Sequence, residues 1–270
     1  MTTMKYQLVP DYWSHYKRLE FIRKYLNQYD NPKVLDLACG TGILCAFPLA
    51  ELGYDVTGVD IDDRSITAAT KENTFPNLRF VCSDFNLFDT GQTYDVVVAG
   101  YVMEHLENPE TLMTAISRLL APGGTAIITI PNGYGPHEME QAIYYKFFEP
   151  WDFIYKARYL KQLFNATTIK KGILGQAPWP QYKPPLDHLE MTVNLECGHA
   201  VRITQKWFNG MISDAGFKVV EMVNGALFHG QITGHAMCWF RPAVVVNTGI
   251  ADYLPSWMVS NWFYALKKEE

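Results

Sequence analysis

Five short segments of the chain are almost continuously apolar and rich in β-branched residues: Lys33-Val-Leu-Asp-Leu-Ala38, Tyr54-Asp-Val-Thr-Gly-Val-Asp60, Leu78-Arg-Phe-Val-Cys82, Tyr94-Asp-Val-Val-Val-Ala99 and Thr125-Ala-Ile-Ile-Thr-Ile130. Runs of this length without polar alternation predict strands buried on both faces, as in a parallel sheet. Between them the period changes. Leu112, Met113, Ile116, Leu119 and Leu120 follow helical spacing, with Pro109 placed for a first turn and Pro122-Gly123-Gly124 ending the element. Strand and helix alternate over residues 33 to 130, which predicts a doubly wound α/β sheet with ligands at the carboxyl ends of its strands.

Outside this frame, Tyr16, Leu19, Phe21, Ile22, Tyr25 and Leu26 predict an amphipathic helix, ended by Asn31-Pro32, as part of an amino-terminal cover over residues 1–31. That helix is expected to roof the ligand pocket. Alternation stops after Pro131-Asn132-Gly133, and residues 133–203 read as an inserted lid rich in aromatics and prolines, among them Tyr144, Tyr145, Phe147, Phe148, Trp151, Phe153, Tyr155 and Tyr159. Regularity resumes with Thr204 as a helix cap, apolar Trp207, Phe208, Met211, Ile212 and Ala215, a stop at Gly216, and the strand Phe217–Val223. A last strand, Asn261–Leu266, follows a helical stretch interrupted by Pro242. Pro48 is expected to kink or shorten the helix after the first strand.

The chain has 270 residues, 48% of them hydrophobic, enough for one enlarged domain with a large core. A net charge of -5 without a long basic run argues against nucleic acid as a partner. Met1 to Tyr12 lacks a basic stretch leading into an apolar core, and no run approaches the roughly 20 apolar residues that span a bilayer, so a cytoplasmic location is expected. Cys39, Cys45, Cys82, Cys197 and Cys238 are odd in number and form no close pair, as expected of reduced thiols in the core.

Chemistry concentrates in Val34-Leu-Asp36-Leu-Ala38-Cys-Gly40-Thr-Gly42, a strand leading into a small-residue turn and then a helix expected from about Ile43. Backbone bare of side chains lets a ligand approach closely. A nicotinamide-dinucleotide fingerprint would place glycines at 38, 40 and 43, and Ala38 and Ile43 break it.

This turn resembles the first motif of class I, Rossmann-like S-adenosylmethionine-dependent methyltransferases, with Ala38 in place of a frequent glycine. The likeness continues in order through Val56-Thr-Gly-Val-Asp60-Ile-Asp62, Val81-Cys-Ser-Asp84-Phe85, Tyr94–Leu106 and Leu119–Thr125, and on to a carboxy-terminal part like that of a bacterial branch of the family. It implies a mostly parallel sheet with an antiparallel last strand, helices on both faces and S-adenosylmethionine as cofactor. It also implies roles. Asp60 would accept from the ribose diol, Asp84 from the adenine amino group, and Ile61 and Phe85 would pack on the base. Ala38 lies in the turn, Gly40, Gly42 and Gly100 would leave room for the methionine part, and Asp36 would hold the ammonium.

Methyl transfer from a sulfonium needs mainly alignment and exclusion of water. Oxygen acceptors commonly also need a base, for which Glu104, His105 and His199 are the candidates, although Glu104-His105 could instead cap the following helix. The expected acceptor is a small molecule or glycan, methylated at oxygen, with nitrogen and carbon acceptors left open. Asp187-His188-Leu-Glu190 and Glu196-Cys197-Gly-His199 match no zinc spacing, and Ala99-Gly100-Tyr101 lacks the carboxylate that magnesium-assisted catechol methylation would want, so no metal is expected. The Asn/Asp-Pro-Pro-Tyr motif of amino-directed methyltransferases is absent at that strand end. A cofactor-binding sensor without catalysis is the alternative, disfavoured because Gly40, Gly42, Asp60 and Asp84 are all present.

Overall fold

A computed structural model describes residues 15–140, 201–228, 233 and 241–269. Seven strands form one sheet in the order β3-β2-β1-β4-β5-β7-β6. Strands β1 (Lys33–Leu37), β2 (Asp55–Asp60), β3 (Leu78–Cys82), β4 (Tyr94–Gly100) and β5 (Leu120–Pro131) run parallel. Antiparallel β7 (Asn261–Lys268) is inserted between β5 and the edge strand β6 (Phe217–Asn224). The expected strands are all present, and β5 begins five residues earlier than its apolar run, with a register shift over Pro122-Gly123-Gly124.

Helices cover both faces. On one face α1 (His15–Leu26), α2 (Ala46–Glu51) and α3 (Asp63–Glu72) pack through Leu19, Ile22, Leu26, Phe47 and Ala69 on Val34, Val56, Val98 and Phe263. On the other, α4 (Glu110–Leu119) and α5 (Gln205–Asp214) pack through Leu112, Ile116, Phe208 and Ile212 on Leu35, Val97, Ala99 and Ile128. A further helix, α6 (Arg241–Ala251), precedes β7. No helix among the described residues is long and apolar enough to cross a membrane.

Several local expectations need correction. Helix α2 starts at Ala46 rather than near Ile43, which puts Pro48 in a first turn, where its missing N–H would have no intrahelical partner. Pro242 lies in α6, next to its first described residue, and residues 234–240 before it lie outside the described residues. Tyr16 and Trp207, assigned to apolar faces, are 51% and 40% exposed. Cys82 is exposed at the end of β3, whereas Cys45 is buried. Thr204 does cap α5, its Oγ1 accepting from Trp207 N–H at 3.3 Å, and Gly216 follows the helix with φ +73°.

Gly133 N–H donates to the Ile203 carbonyl at 2.8 Å, which sets these two positions side by side. The aromatic run 144–159, the Asp187 to His199 region and Cys238 lie outside the described residues, as do residues 1–14.

Candidate cofactor site

The carboxyl ends of β1, β2, β3 and β4 form one edge, and Asp36, Gly40, Asp60, Ile61, Asp84, Phe85 and Gly100 stand along it. After β1 the backbone turns through left-handed conformations at Ala38 (φ +55°), Gly40 (φ +55°) and Gly42 (φ +74°). Within the turn, Cys39 N–H donates to the Val59 carbonyl at 3.0 Å and Gly42 N–H to the Cys39 carbonyl at 2.9 Å. Asp60 fixes it from the neighbouring strand: its Oδ2 accepts from Gly40 N–H at 2.7 Å and its Oδ1 from Asp62 N–H at 2.8 Å. Each carboxylate oxygen retains a second acceptor site.

The two glycines of the turn differ in purpose. A Cβ on Gly40 would meet nothing within 4 Å, so that side of the turn is open. A Cβ on Gly42 would lie 2.7 Å from the Phe80 ring, and one on Gly58 2.8 Å from it. The missing Cβ of Gly42 therefore makes room for the Phe80 ring, whose centroid lies 5.3 Å from that of Phe47 with the planes tilted by 53°. At the end of β3, Asp84 Oδ1 accepts from the backbone and side-chain amides of Asn86, at 2.8 and 3.0 Å. Ile61 is 71% exposed at this edge, while Phe85 is half-buried against the core.

Asp36 is almost fully buried, and that burial pushes its carboxyl up to about 7, opposed by the charge of Arg18 and by hydrogen bonds from the Cys45 thiol and the Ala46 amide, and reinforced by Asp60. Burial also pushes the thiols of Cys39 and Cys45 well up, so both remain protonated.

Arg18, absent from the expected set, comes from α1. It is 3% exposed, donates through Nη2 to the Leu44 carbonyl at 2.9 Å, and its Nη1 lies 2.7 Å from where a Cβ on Gly100 would stand. Thr129, on β5 beside Gly100, brings its Oγ1 to 3.2 Å from the same point. Arg18 Nε, Asp36 Oδ2 and Thr129 Oγ1 are all buried without a hydrogen-bond partner. A buried cation, a buried carboxylate and a hydroxyl with unused capacity are costly unless a ligand completes them.

Sequence periodicity carried a signal for Arg18. Positions 15, 18, 19, 22, 25 and 26 share the buried stripe of α1, and an arginine on such a stripe needs a buried partner.

Beyond β4, Glu104 and His105 occupy a separate 3₁₀ turn, Met103–His105. Helix α4 has Pro109 at its cap position, so neither residue caps it. Glu104 is buried, and its Oε1 lies 4.0 Å from His105 Nε2. His199 lies outside the described residues. Among the described residues no three His, Cys, Asp or Glu side chains gather as a metal site.

Residues 12–168, more than half of the chain, match the protein family described as a methyltransferase domain. The chain belongs to that family. This methyltransferase is 26% identical over 200 residues to the ubiquinone biosynthesis O-methyltransferase of Aliivibrio fischeri (strain MJ11), covering 69% of this chain and 83% of the relative. It is 36% identical over 107 residues to the mitochondrial ubiquinone biosynthesis O-methyltransferase of Homo sapiens, covering 37% of this chain and 29% of that one. Among solved structures, the CcbJ methyltransferase of Streptomyces caelestis aligns with a TM-score of 0.55 at 15% identity, over 97% of this chain and 91% of that chain. The magnesium protoporphyrin IX methyltransferase of Synechocystis PCC 6803, solved with bound SAH, aligns with a TM-score of 0.51 at 15% identity, over 95% and 84%. These structures share the fold. The cofactor of this methyltransferase is S-adenosylmethionine.

Proposed function

We propose that this methyltransferase transfers the methyl group of S-adenosylmethionine to a hydroxyl oxygen of a small molecule. The observation that carries the site assignment is a trio of buried, unpartnered polar atoms: Arg18 Nε and Thr129 Oγ1, on two residues that meet at Gly100, and Oδ2 of Asp36, whose carboxyl feels the charge of Arg18. A zwitterionic amino acid answers each of them. Asp36 accepts from its ammonium, Arg18 donates to its carboxylate, and Thr129 lies within reach of the same end. Asp60 accepts from a ribose diol with the lone pairs its two backbone bonds leave free, and Asp84 accepts from an adenine amino group through Oδ2. Ile61, exposed beside it, covers the base.

When bound, the cofactor supplies a methyl group already activated on a sulfonium sulfur. The protein's share is orientation and exclusion of water. His105 takes the proton of the acceptor hydroxyl, and the buried Glu104 carboxylate balances the imidazolium that results. The oxygen preference is supported by the relatives, which are named as O-methyltransferases of ubiquinone biosynthesis, a small-molecule pathway.

The test is a screen of the purified protein with methyl-labelled S-adenosylmethionine against phenols, sugars and amines, reading label transfer and the methylated atom. Methyl ethers from phenols support the reading. Transfer to amines alone would refute the oxygen assignment.

A further inference from the structure

Tyr101 follows Gly100 at the end of β4 and has φ +56°, a left-handed conformation that costs an aromatic residue free energy and persists only where its surroundings hold it. Strand geometry shows what that conformation achieves. Along β4 the side chains alternate: Val98 packs with the α1 residues, and Gly100 meets Arg18, while Val97 and Ala99 pack on the α4 side. Continued in extended form, residue 101 would fall on the α4 side. Its positive φ turns it back to the α1 face.

There the ring lies beneath α1. The Arg18 guanidinium carbon stands 5.5 Å from the Tyr101 ring centroid, inside the range of a cation–π contact, and His15 meets the ring edge-on, with centroids 6.3 Å apart and planes at 83°. Both ends of the tyrosine are fixed. Its N–H donates to the Thr129 carbonyl at 2.9 Å, and its hydroxyl accepts from Nδ2 of Asn261, whose own Oδ1 accepts from Ala226 N–H. Tyr101 thus links α1, β5 and β7 around one buried guanidinium.

We propose that Tyr101 is a positioning residue for the amino-acid end of the cofactor, its ring serving as the platform that holds Arg18 over Gly100. The inference rests on the reading of Arg18 as the carboxylate's partner. A flexible arginine placed by one carbonyl alone would sample other rotamers. Stacked on a fixed ring, it keeps its unused Nε–H in place before the ligand arrives.

The experiment compares two ligands by calorimetric titration of the whole protein. S-adenosylhomocysteine carries the amino acid, while 5′-methylthioadenosine shares the adenine, ribose and sulfur but lacks it. Tyr101→Asn suits the left-handed backbone and removes the ring. It is expected to weaken S-adenosylhomocysteine about tenfold while leaving 5′-methylthioadenosine within about twofold. Tyr101→Phe keeps the ring and is expected to bind both ligands within about threefold of wild type. Equal loss of both ligands in Tyr101→Asn, no loss of either, or Tyr101→Phe behaving like Tyr101→Asn overturns the inference.

Arg18→Met separates it from the reading beneath it. If Arg18→Met leaves the ratio of the two affinities unchanged, the assignment of Arg18 itself fails. If Arg18→Met collapses the ratio and Tyr101→Asn does not, only the platform fails. Should Tyr101→Asn not fold, the wild type answers by NMR: ring stacking predicts upfield-shifted Arg18 side-chain protons, and unshifted ones contradict it.

Discussion

Arg18 and Gly100 fit each other as cation and cradle: Nη1 of the arginine lies 2.7 Å from the position that a Cβ on the glycine would take. The contact joins α1, whose apolar stripe docks it on the sheet, to the carboxyl end of β4. In Gly100→Ala the new methyl group meets Arg18 Nη1 and crowds Thr129 Oγ1, so the guanidinium must shift from its place on the Tyr101 ring. Some stability is expected to be lost with those buried contacts, and the affinity for S-adenosylmethionine should fall about tenfold, or about 1.4 kcal/mol. Titration calorimetry beside a thermal melt separates the two effects.

Asp36 gives a pH dependence with an unusual sign. Burial raises its folded-state pKa from 3.8 to about 7, so the native protein holds this proton where the unfolded chain has released it. Between those values the group removes stability as pH rises, and the loss is complete above about 7. Asp36→Asn removes the penalty and should raise the melting temperature of the cofactor-free protein relative to wild type at pH 8 but much less at pH 4. The same charge is wanted for the cofactor's ammonium, so wild-type affinity should drop as pH falls below about 7, with a flatter profile in Asp36→Asn. Melts and titrations at pH 4 to 8 check both signs.

Ala38 carries a left-handed backbone, φ +55°, at a place where glycine would be unstrained. Relief of about 1–2 kcal/mol of strain, set against about 0.5–1 kcal/mol of added chain entropy, predicts that Ala38→Gly stabilises the protein by about 0.5–1 kcal/mol. The midpoint of denaturant unfolding measures it, and a lower midpoint would show that Ala38 is not strained.

His105 should matter to turnover rather than to cofactor binding. His105→Ala is expected to slow methylation of a phenolic acceptor by about 100-fold or more, with partial recovery at higher pH as the acceptor ionises. Steady-state rates from pH 6 to 10 test this; an unchanged rate would remove the histidine from the mechanism.

The central sheet was legible because a parallel strand buried on both faces has little freedom in composition: Val96–Val98 and Ala126–Ile128 could hardly be anything else. The acids at strand ends were legible for a related reason, since Asp36 and Asp60 each follow or interrupt an apolar run at the edge where ligands bind. Other features depend on partners distant in sequence. The missing Cβ of Gly42 makes room for Phe80, a neighbour on another strand that the turn's own sequence does not reveal. Tyr101 carries no local mark of its positive φ, because the conformation is imposed by Arg18, Thr129 and Asn261 together. Arg18 was readable in principle, as a charge on a buried stripe, but only the fold shows that the stripe ends over Gly100.

Asp60 ties these parts together, since it anchors the glycine turn through Gly40 N–H and, in the function proposed above, would offer its remaining lone pairs to the ribose. The most direct measurement is a calorimetric titration of the wild type and of Asp60→Ala with S-adenosylmethionine, with a nicotinamide dinucleotide as control. Micromolar binding of S-adenosylmethionine that Asp60→Ala loses by about 100-fold or more is the predicted result, a difference of about 2.7 kcal/mol. Undiminished binding in Asp60→Ala, or binding of the dinucleotide in place of S-adenosylmethionine, would contradict the site described.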